Sequence, residues 1–324
     1  MSNFIEKVHI ENFKSIDSID LNCKRINIFI GPPGSGKSNI LEAIGLISKY
    51  TLDKFPESIG VYDYNKLASM FYRNNIYKSL VIGINGEKLE VNYNGDETVS
   101  DLKSKIENKI KNNKLLSELY EKIKFYRFKI EKILFGNSIL TPFLYPPYGE
   151  NLIDIVKINK DILNEITNEF LDEYGLLVAN VRGSRELFLV YKEDIKNLEK
   201  NLSIPFIPFY QISDGIIRYI FNLLAIETNR DSIILLEEPE SNIFPSYIKN
   251  IAFKISRSNN QFFITTHNEL LVETLLEEVN IDDISIFWVD FKEKTIVKEI
   301  SGEKLKELVN ESMLNNIFFA AEKI

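Results

Sequence analysis

Ile26-Asn27-Ile28-Phe29-Ile30-Gly31-Pro32-Pro33-Gly34-Ser35-Gly36-Lys37-Ser38-Asn39-Ile40-Leu41-Glu42-Ala43-Ile44 is the stretch that decides the reading of this chain. Its first five residues form a mostly apolar run bounded by polar ones, the pattern of a buried strand. Gly31 to Ser38 fits G-x-x-x-x-G-K-[ST] at every fixed position. Behind it Ile40, Leu41, Ile44 and Ile47 recur at helical spacing. Strand, glycine loop and helix is the order a phosphate site requires. The glycines let backbone N–H groups turn inward around phosphate oxygens, and the helix points its positive end at them.

That order implies ATP as a ligand. Gly31, Pro32, Pro33, Gly34, Ser35, Gly36, Lys37, Ser38 and Asn39 are expected to line the site, with Lys37 at the β- and γ-phosphates and Ser38 on Mg²⁺. A P-loop also needs an acidic residue at the end of a neighbouring strand. Ile233-Ile234-Leu235-Leu236-Glu237-Glu238-Pro239-Glu240 supplies a carboxylate pair there. Such a pair at the end of a buried strand has little purely structural reason to exist. Glu237 is expected in the Mg²⁺ shell and Glu238 as general base toward the attacking water.

The rest of the chain extends this core. Lys7 to Ile10 and Ile16 to Leu21 read as short strands, and Ser79 to Tyr93 alternates around Asn85-Gly86, a favoured hairpin turn. Ile106, Ile110, Ile123, Ile130 and Ile133 suggest an apolar helical stripe, and Leu152 to Glu173 a further helix. Paired strands follow around Val178 to Asn180 and Glu186 to Tyr191. Gly215 to Glu227 and Ser246 to Ser256 read as helices, Ser232 to Leu236 and Gln261 to Thr265 as strands, Ile284 to Ile300 as a hairpin, and a last helix starts near Glu303. Helices alternating with apolar strands imply a mostly parallel sheet covered on both faces. The expected division is a composite core of residues 1–50 and 206–324, with 51–205 as an inserted, mainly helical lobe.

Bulk properties exclude several classes. With 44% hydrophobic and 27% charged residues the 324-residue chain has the composition of a globular protein. Its longest apolar run, Ile216 to Ile226, is interrupted by Arg218 and Asn222 and is too short to cross a bilayer. No secretion signal opens the sequence, so a cytoplasmic location is expected. Cys23 is the single cysteine, and His9 and His267 are the two histidines, which disfavours disulfides and Cys/His metal centres. His9, beside Val8 on a strand, reads as structural. A net charge of −8 argues against nonspecific coating of nucleic acid. Lys103 to Lys132, however, holds ten basic residues against four acidic ones. It reads either as a solvated helical face or as a contact for DNA.

The motif set resembles the ABC-type ATPase heads of the RecF, SMC and OLD group. The resemblance rests on Ile10-Glu11-Asn12-Phe13-Lys14-Ser15-Ile16, the loop and helix quoted above, and Glu237-Glu238-Pro239-Glu240. Ser213-Asp214-Gly215, with Gln211 before it and Arg218 behind, is similar to that group's signature motif, and Thr265-Thr266-His267-Asn268 to its switch-histidine segment. The resemblance implies an ABC-like P-loop NTPase head with an N-terminal antiparallel part, closing head to tail with a second copy. Ser213, Asp214 and Gly215 would then serve the partner's nucleotide, with Ser213 and Gly215 at the γ-phosphate, and His267 would sense that phosphate. The segment Met70 to Asn74 lies near the glutamine-loop position, with Arg73 a candidate phosphate contact. Ser241-Asn242-Ile243-Phe244-Pro245 departs from the group's H-L-H-P continuation. The insertion is too short for an SMC coiled coil, and no acidic cluster after His267 suggests an appended nuclease.

Two functions fit. One is an ATPase whose ATP-driven dimerisation gates DNA or an effector protein in genome maintenance or defence against mobile elements. The other is an ATP-switched scaffold for a separately encoded nuclease or toxin. A transporter subunit fits less well, because both the signature and the opening segment belong to the other group.

Overall fold

Alternation builds the first sheet. β1 (Lys7–Phe13) buries Val8, Ile10 and Phe13, β2 (Ile16–Asn22) buries Ile16, Ile19 and Leu21, and the two pair antiparallel. β4 (Leu80–Ile84) joins the other side of β1, and β5 (Glu87–Val91) completes a sheet of order β2-β1-β4-β5. Asn85 and Gly86 turn β4 into β5 with φ of 50° and 92°, the left-handed values such a two-residue turn needs. The computed structural model describes residues 4–134, 139–171, 175–180, 186–195 and 205–300. The helix expected from Glu303 lies outside these residues.

β3 (Ile26–Ile30) is buried at every position, as a strand covered on both faces must be. It sits inside a six-stranded sheet of order β13-β12-β3-β11-β10-β6. The partners are β6 (Ile123–Tyr126), β10 (Ile233–Glu237), β11 (Gln261–Thr265), β12 (Ile284–Lys292) and β13 (Lys294–Ile300). All pairings from β12 to β6 are parallel, and β13 alone returns antiparallel. Ile26, Ile28 and Ile30 face a core shared with the helices Asp214–Glu227 and Pro245–Arg257. Phe29 faces a second core, shared with the helix Lys37–Gly45 and the antiparallel sheet. The architecture is therefore the expected α/β fold with a mostly parallel sheet.

Strands from residues 51–205 join the sheets built by the flanking segments. β4 and β5 continue the sheet begun by β1, and β6 is the edge strand beside β10. Ile123 accordingly lies on a strand and not on a helical stripe with Ile106 and Ile110, which belong to the helix Val99–Lys111. A four-residue stretch carries too little period to distinguish the two. The single helix expected over Leu152 to Glu173 is broken. Leu152–Ile158 ends at Asn159, whose side chain accepts from Ile162 N at 3.2 Å and starts Lys160–Ile166. β7 (Leu176–Asn180), β8 (Leu187–Tyr191) and β9 (Ile207–Pro208) form a third, antiparallel sheet.

Candidate nucleotide site

β3 delivers the chain into Gly31 at the carboxyl end of the parallel strands. At Gly31 φ is +147°, and a Cβ there would stand 2.0 Å from the carbonyl oxygen of Val289 on β12. At Gly36 φ is +100°, and a Cβ would meet Thr295 Oγ1 at 2.1 Å. Only glycine fits either place. The loop is buttressed from both ends of the chain. Ser15 Oγ and Thr295 Oγ1 are 2.6 Å apart, Asn39 Nδ2 donates to Ser15 Oγ at 2.6 Å, and Thr295 Oγ1 donates to Ser35 O at 3.1 Å. Lys37 Nζ donates to the carbonyls of Gly31 and Pro32, both at 2.9 Å. Burial pulls its ammonium down to about 8 against the opposing charges of Glu238 and Glu240. No side chain caps the N-terminus of the helix Lys37–Gly45, so the N–H groups of Lys37 and Ser38 face the loop without a side-chain partner.

The register of β10 on β11 sets the acidic side. Glu237 aligns with Thr265, and the Glu238 N–H donates to Thr265 O at 3.0 Å. Glu238 then turns at φ 43°. Its carboxylate accepts from Ser241 Oγ at 3.1 Å and lies 3.2 Å from His267 Nε2. His267 is held below the ordinary histidine value, first by burial and then by the Lys37 charge, with Glu238 opposing both. Four predicted residues, Lys37, Glu237, Glu238 and His267, thus converge on one end of the sheet.

Glu237 is held between Ser38 and Arg127. Burial, the largest influence, raises its carboxyl, but the Arg127 guanidinium and the Ser38 hydroxyl overcome it and leave the group below its ordinary value. The donor set suits a hydrated divalent cation shared with a nucleotide: one hydroxyl and one ionised carboxylate, side by side. Mg²⁺ is commonly held in this way by one or two protein oxygens plus substrate phosphates. Among the described residues no group of three His, Cys, Asp or Glu gathers into an all-protein cage. Ser35 Oγ is buried with no hydrogen-bond partner, the kind of buried polar group that calls for a ligand or ordered water. The residues present therefore fit Mg²⁺ and a polyphosphate.

Three residues escaped the sequence reading. Arg127 follows β6 and binds both Glu237 and Glu42, the latter at 2.6 Å. Lys14 binds the other oxygen of Glu42 at 2.5 Å. Glu240, nearly fully buried, accepts from the His267 N–H at 2.9 Å, and its carboxyl is raised by burial. For Arg127 the sequence offers only a charge after Ile123 to Tyr126, a stretch too short to declare itself a strand. Arg73 is not part of this convergence. It is exposed, with φ 52°, and its guanidinium lies 3.8 Å from Glu293 at the β12–β13 turn.

Ser213 and Asp214 open the helix Asp214–Glu227 and are exposed. No side chain caps this helix either. Gly215 packs so tightly on the segment after Glu238 that a Cβ would meet Asn242 O at 2.3 Å. Arg218 stacks 4.3 Å from the Phe128 ring centroid and lies 3.9 Å from Asp214. The basic segment is largely committed to the protein itself. Lys105 pairs with Glu97 at 2.5 Å, Lys111 with Glu107 at 3.2 Å, Lys129 and Lys132 with Glu57, and Lys109 donates to Glu90 O at 2.6 Å. Lys124 is buried at 7% exposure against Asn229, Ser232 and the Phe143 ring, so it is no part of a nucleic-acid face.

A family model described as "AAA domain, putative AbiEii toxin, Type IV TA system" matches residues 84–273, and one described as "AAA ATPase domain" matches residues 4–138. A "DNA double-strand break repair Rad50 ATPase" from Methanopyrus kandleri is 34% identical over 88 residues, which are 27% of this chain and 9% of that protein's length. Two solved structures share the fold. An SMC head bound to the C-winged helix domain of ScpA superposes with a TM-score of 0.53 at 14% identity, over 94% of this chain and 99% of the other. An SMC head with an extended coiled coil, bound to a C-terminal ScpA domain derived from Pyrococcus furiosus, gives 0.53 at 12% identity over 96% and 99%. Among the described residues no helix is long and apolar enough to cross a membrane.

Proposed function

The chain belongs to the family of AAA domains described as putative AbiEii toxin of type IV TA systems, and from that premise we propose that this ATPase is an ATP-gated head, two copies of which close around nucleotide. In the closed pair Lys37 would hold the β- and γ-phosphates, and Ser38 and Glu237 would hold Mg²⁺, which would supply charge neutralisation at the phosphate oxygens. Glu238 takes the proton of the attacking water, and His267 orients toward the γ-phosphate beside it. Ser213 and Gly215 of the second copy complete the phosphate shell, and Asp214 turns toward ribose or the partner.

One observation carries this reading: Ser213 and Asp214 stand exposed at an uncapped helix N-terminus. Such an end donates readily to an anion brought by another molecule. The test is Glu238→Gln, which keeps ATP and removes the base. It should elute as a dimer with ATP and Mg²⁺ and as a monomer without them. A variant that stays monomeric under saturating ATP removes the model.

What the closed pair controls is DNA or an effector protein, in genome maintenance or in defence against mobile elements. The ion pairing of Lys105, Lys111, Lys129 and Lys132, together with the buried Lys124, favours the protein partner. On that second reading the ATPase is a cytoplasmic scaffold for a separately encoded nuclease or toxin, with slow hydrolysis as its timer. A stoichiometric protein co-purifying with Glu238→Gln supports the scaffold. Stimulation of ATP turnover by DNA supports the other.

A further inference from the structure

We propose that Arg127 is a positioning residue for the ATPase reaction, fixing the Glu237 carboxylate and setting the Mg²⁺ requirement of the site. The inference rests on the reading of Glu237 as the metal carboxylate. Arg127 follows β6, which runs parallel to β10 with Tyr126 opposite Leu236, so the next residue on each strand falls side by side. Its Nε and Nη2 both bind Glu237, the latter at 3.1 Å, and Nη2 also binds Glu42 at 2.6 Å. Glu42 lies one helical turn beyond Ser38, whose hydroxyl helps to lower the Glu237 carboxyl. A planar guanidinium thus links the P-loop helix, through Glu42, to the acidic strand, through Glu237.

Two effects follow. The forked contact fixes the carboxylate plane, which a single ammonium cannot do. The positive charge, 14% exposed, also offsets the negative charge that attracts the metal, in surroundings where solvent screens it only partly. Geometry and charge are therefore separable by substitution.

Arg127→Lys keeps the charge and loses the fork. Its turnover should fall about tenfold, with half-saturating Mg²⁺ within about twofold of the parent. Arg127→Gln loses both. Its turnover should fall at least as far, while half-saturating Mg²⁺ should drop about tenfold, because an uncompensated carboxylate attracts the cation more strongly. Mg²⁺ titrations of ATP binding, read by a fluorescent ATP analogue alongside phosphate release, measure both quantities. Binding of the analogue in EDTA, together with circular dichroism, checks that each variant is folded. Glu237→Gln serves as the control. If it leaves the Mg²⁺ dependence unchanged, the assignment of Glu237 is wrong. If it shifts that dependence while Arg127→Gln does not, Arg127 is only a structural ion pair and this inference is overturned.

Discussion

His267 Nε2 lies 3.2 Å from Oε1 of Glu238, the carboxylate that turns away from its strand at φ 43°. The same histidine is anchored through its backbone to Glu240 at 2.9 Å, so its ring is aimed by a buried group that itself takes no part in proton transfer. With His267 held below the ordinary histidine value, the ring is neutral at pH 7 and offers one N–H. A neutral donor beside a general base orients that base without protonating it. His267→Ala should therefore lower kcat by about a hundredfold and leave ATP affinity within a few fold. Phosphate release and binding of a fluorescent ATP analogue separate the two effects. Parallel loss of both would mean that His267 shapes the pocket instead.

Lys37 predicts the alkaline limb of the pH profile. Its burial is the reason its ammonium titrates near 8. Below that pH the group is charged and can hold phosphate, and above it the free enzyme increasingly offers a neutral amine. The value of kcat/KM, which reports the free enzyme, should fall by about tenfold per unit above about pH 8. Lys37→Arg carries a guanidinium that does not titrate in this range, so its weaker residual activity should show no such limb. A parent profile flat to pH 9.5 would contradict the assignment.

The P-loop, Glu237, Glu238 and His267 were legible because each lies on or beside a strand whose apolar run fixes its type and whose end fixes its place. What stayed hidden depended on pairings between distant segments. Ile123-Lys124-Phe125-Tyr126 is too short to declare itself a strand, and nothing local says that it will lie beside β10. Once it does, Arg127 reaches Glu237 and Lys124 turns inward. The lysine-rich texture of Lys103 to Lys132 was real as composition, but composition does not reveal which carboxylate each lysine will meet. Glu57 and Glu97, both outside that segment, neutralise part of it.

Lys124 separates the two readings of the basic segment. Its Nζ donates to Asn229 Oδ1 at 2.6 Å and to Ser232 Oγ at 3.2 Å, and burial pulls it down to about 8. Reversing this charge puts a carboxylate where two acceptor oxygens and the face of Phe143 already point. Lys124→Glu should destabilise the fold by roughly 3–5 kcal/mol, the cost of an uncompensated buried charge. Lys124→Met, of similar volume, should cost clearly less. Thermal unfolding of the two measures the difference. Equal, small shifts would place the side chain at the surface.

Gly215 tests whether the site is shared between two copies. A Cβ there meets the Asn242 carbonyl oxygen at 2.3 Å, so Gly215→Ala must displace either the start of the helix Asp214–Glu227 or the segment after Glu238. Alanine's own helix preference offsets only part of this backbone clash, so the melting temperature should fall, and the change also disturbs the surface offered to a partner. On the proposed reading ATP still binds the variant's own P-loop, but turnover and ATP-dependent dimerisation fall together. The decisive arrangement is a mixture. Lys37→Ala lacks a working P-loop and Gly215→Ala lacks a working signature, yet a dimer of one with the other contains one intact pairing of P-loop and signature. Each variant alone should be inactive, and mixing them should restore phosphate release. If Gly215→Ala is instead rescued by nothing, or the mixture stays as inactive as its parts, the signature serves its own chain and the head-to-tail closure does not occur.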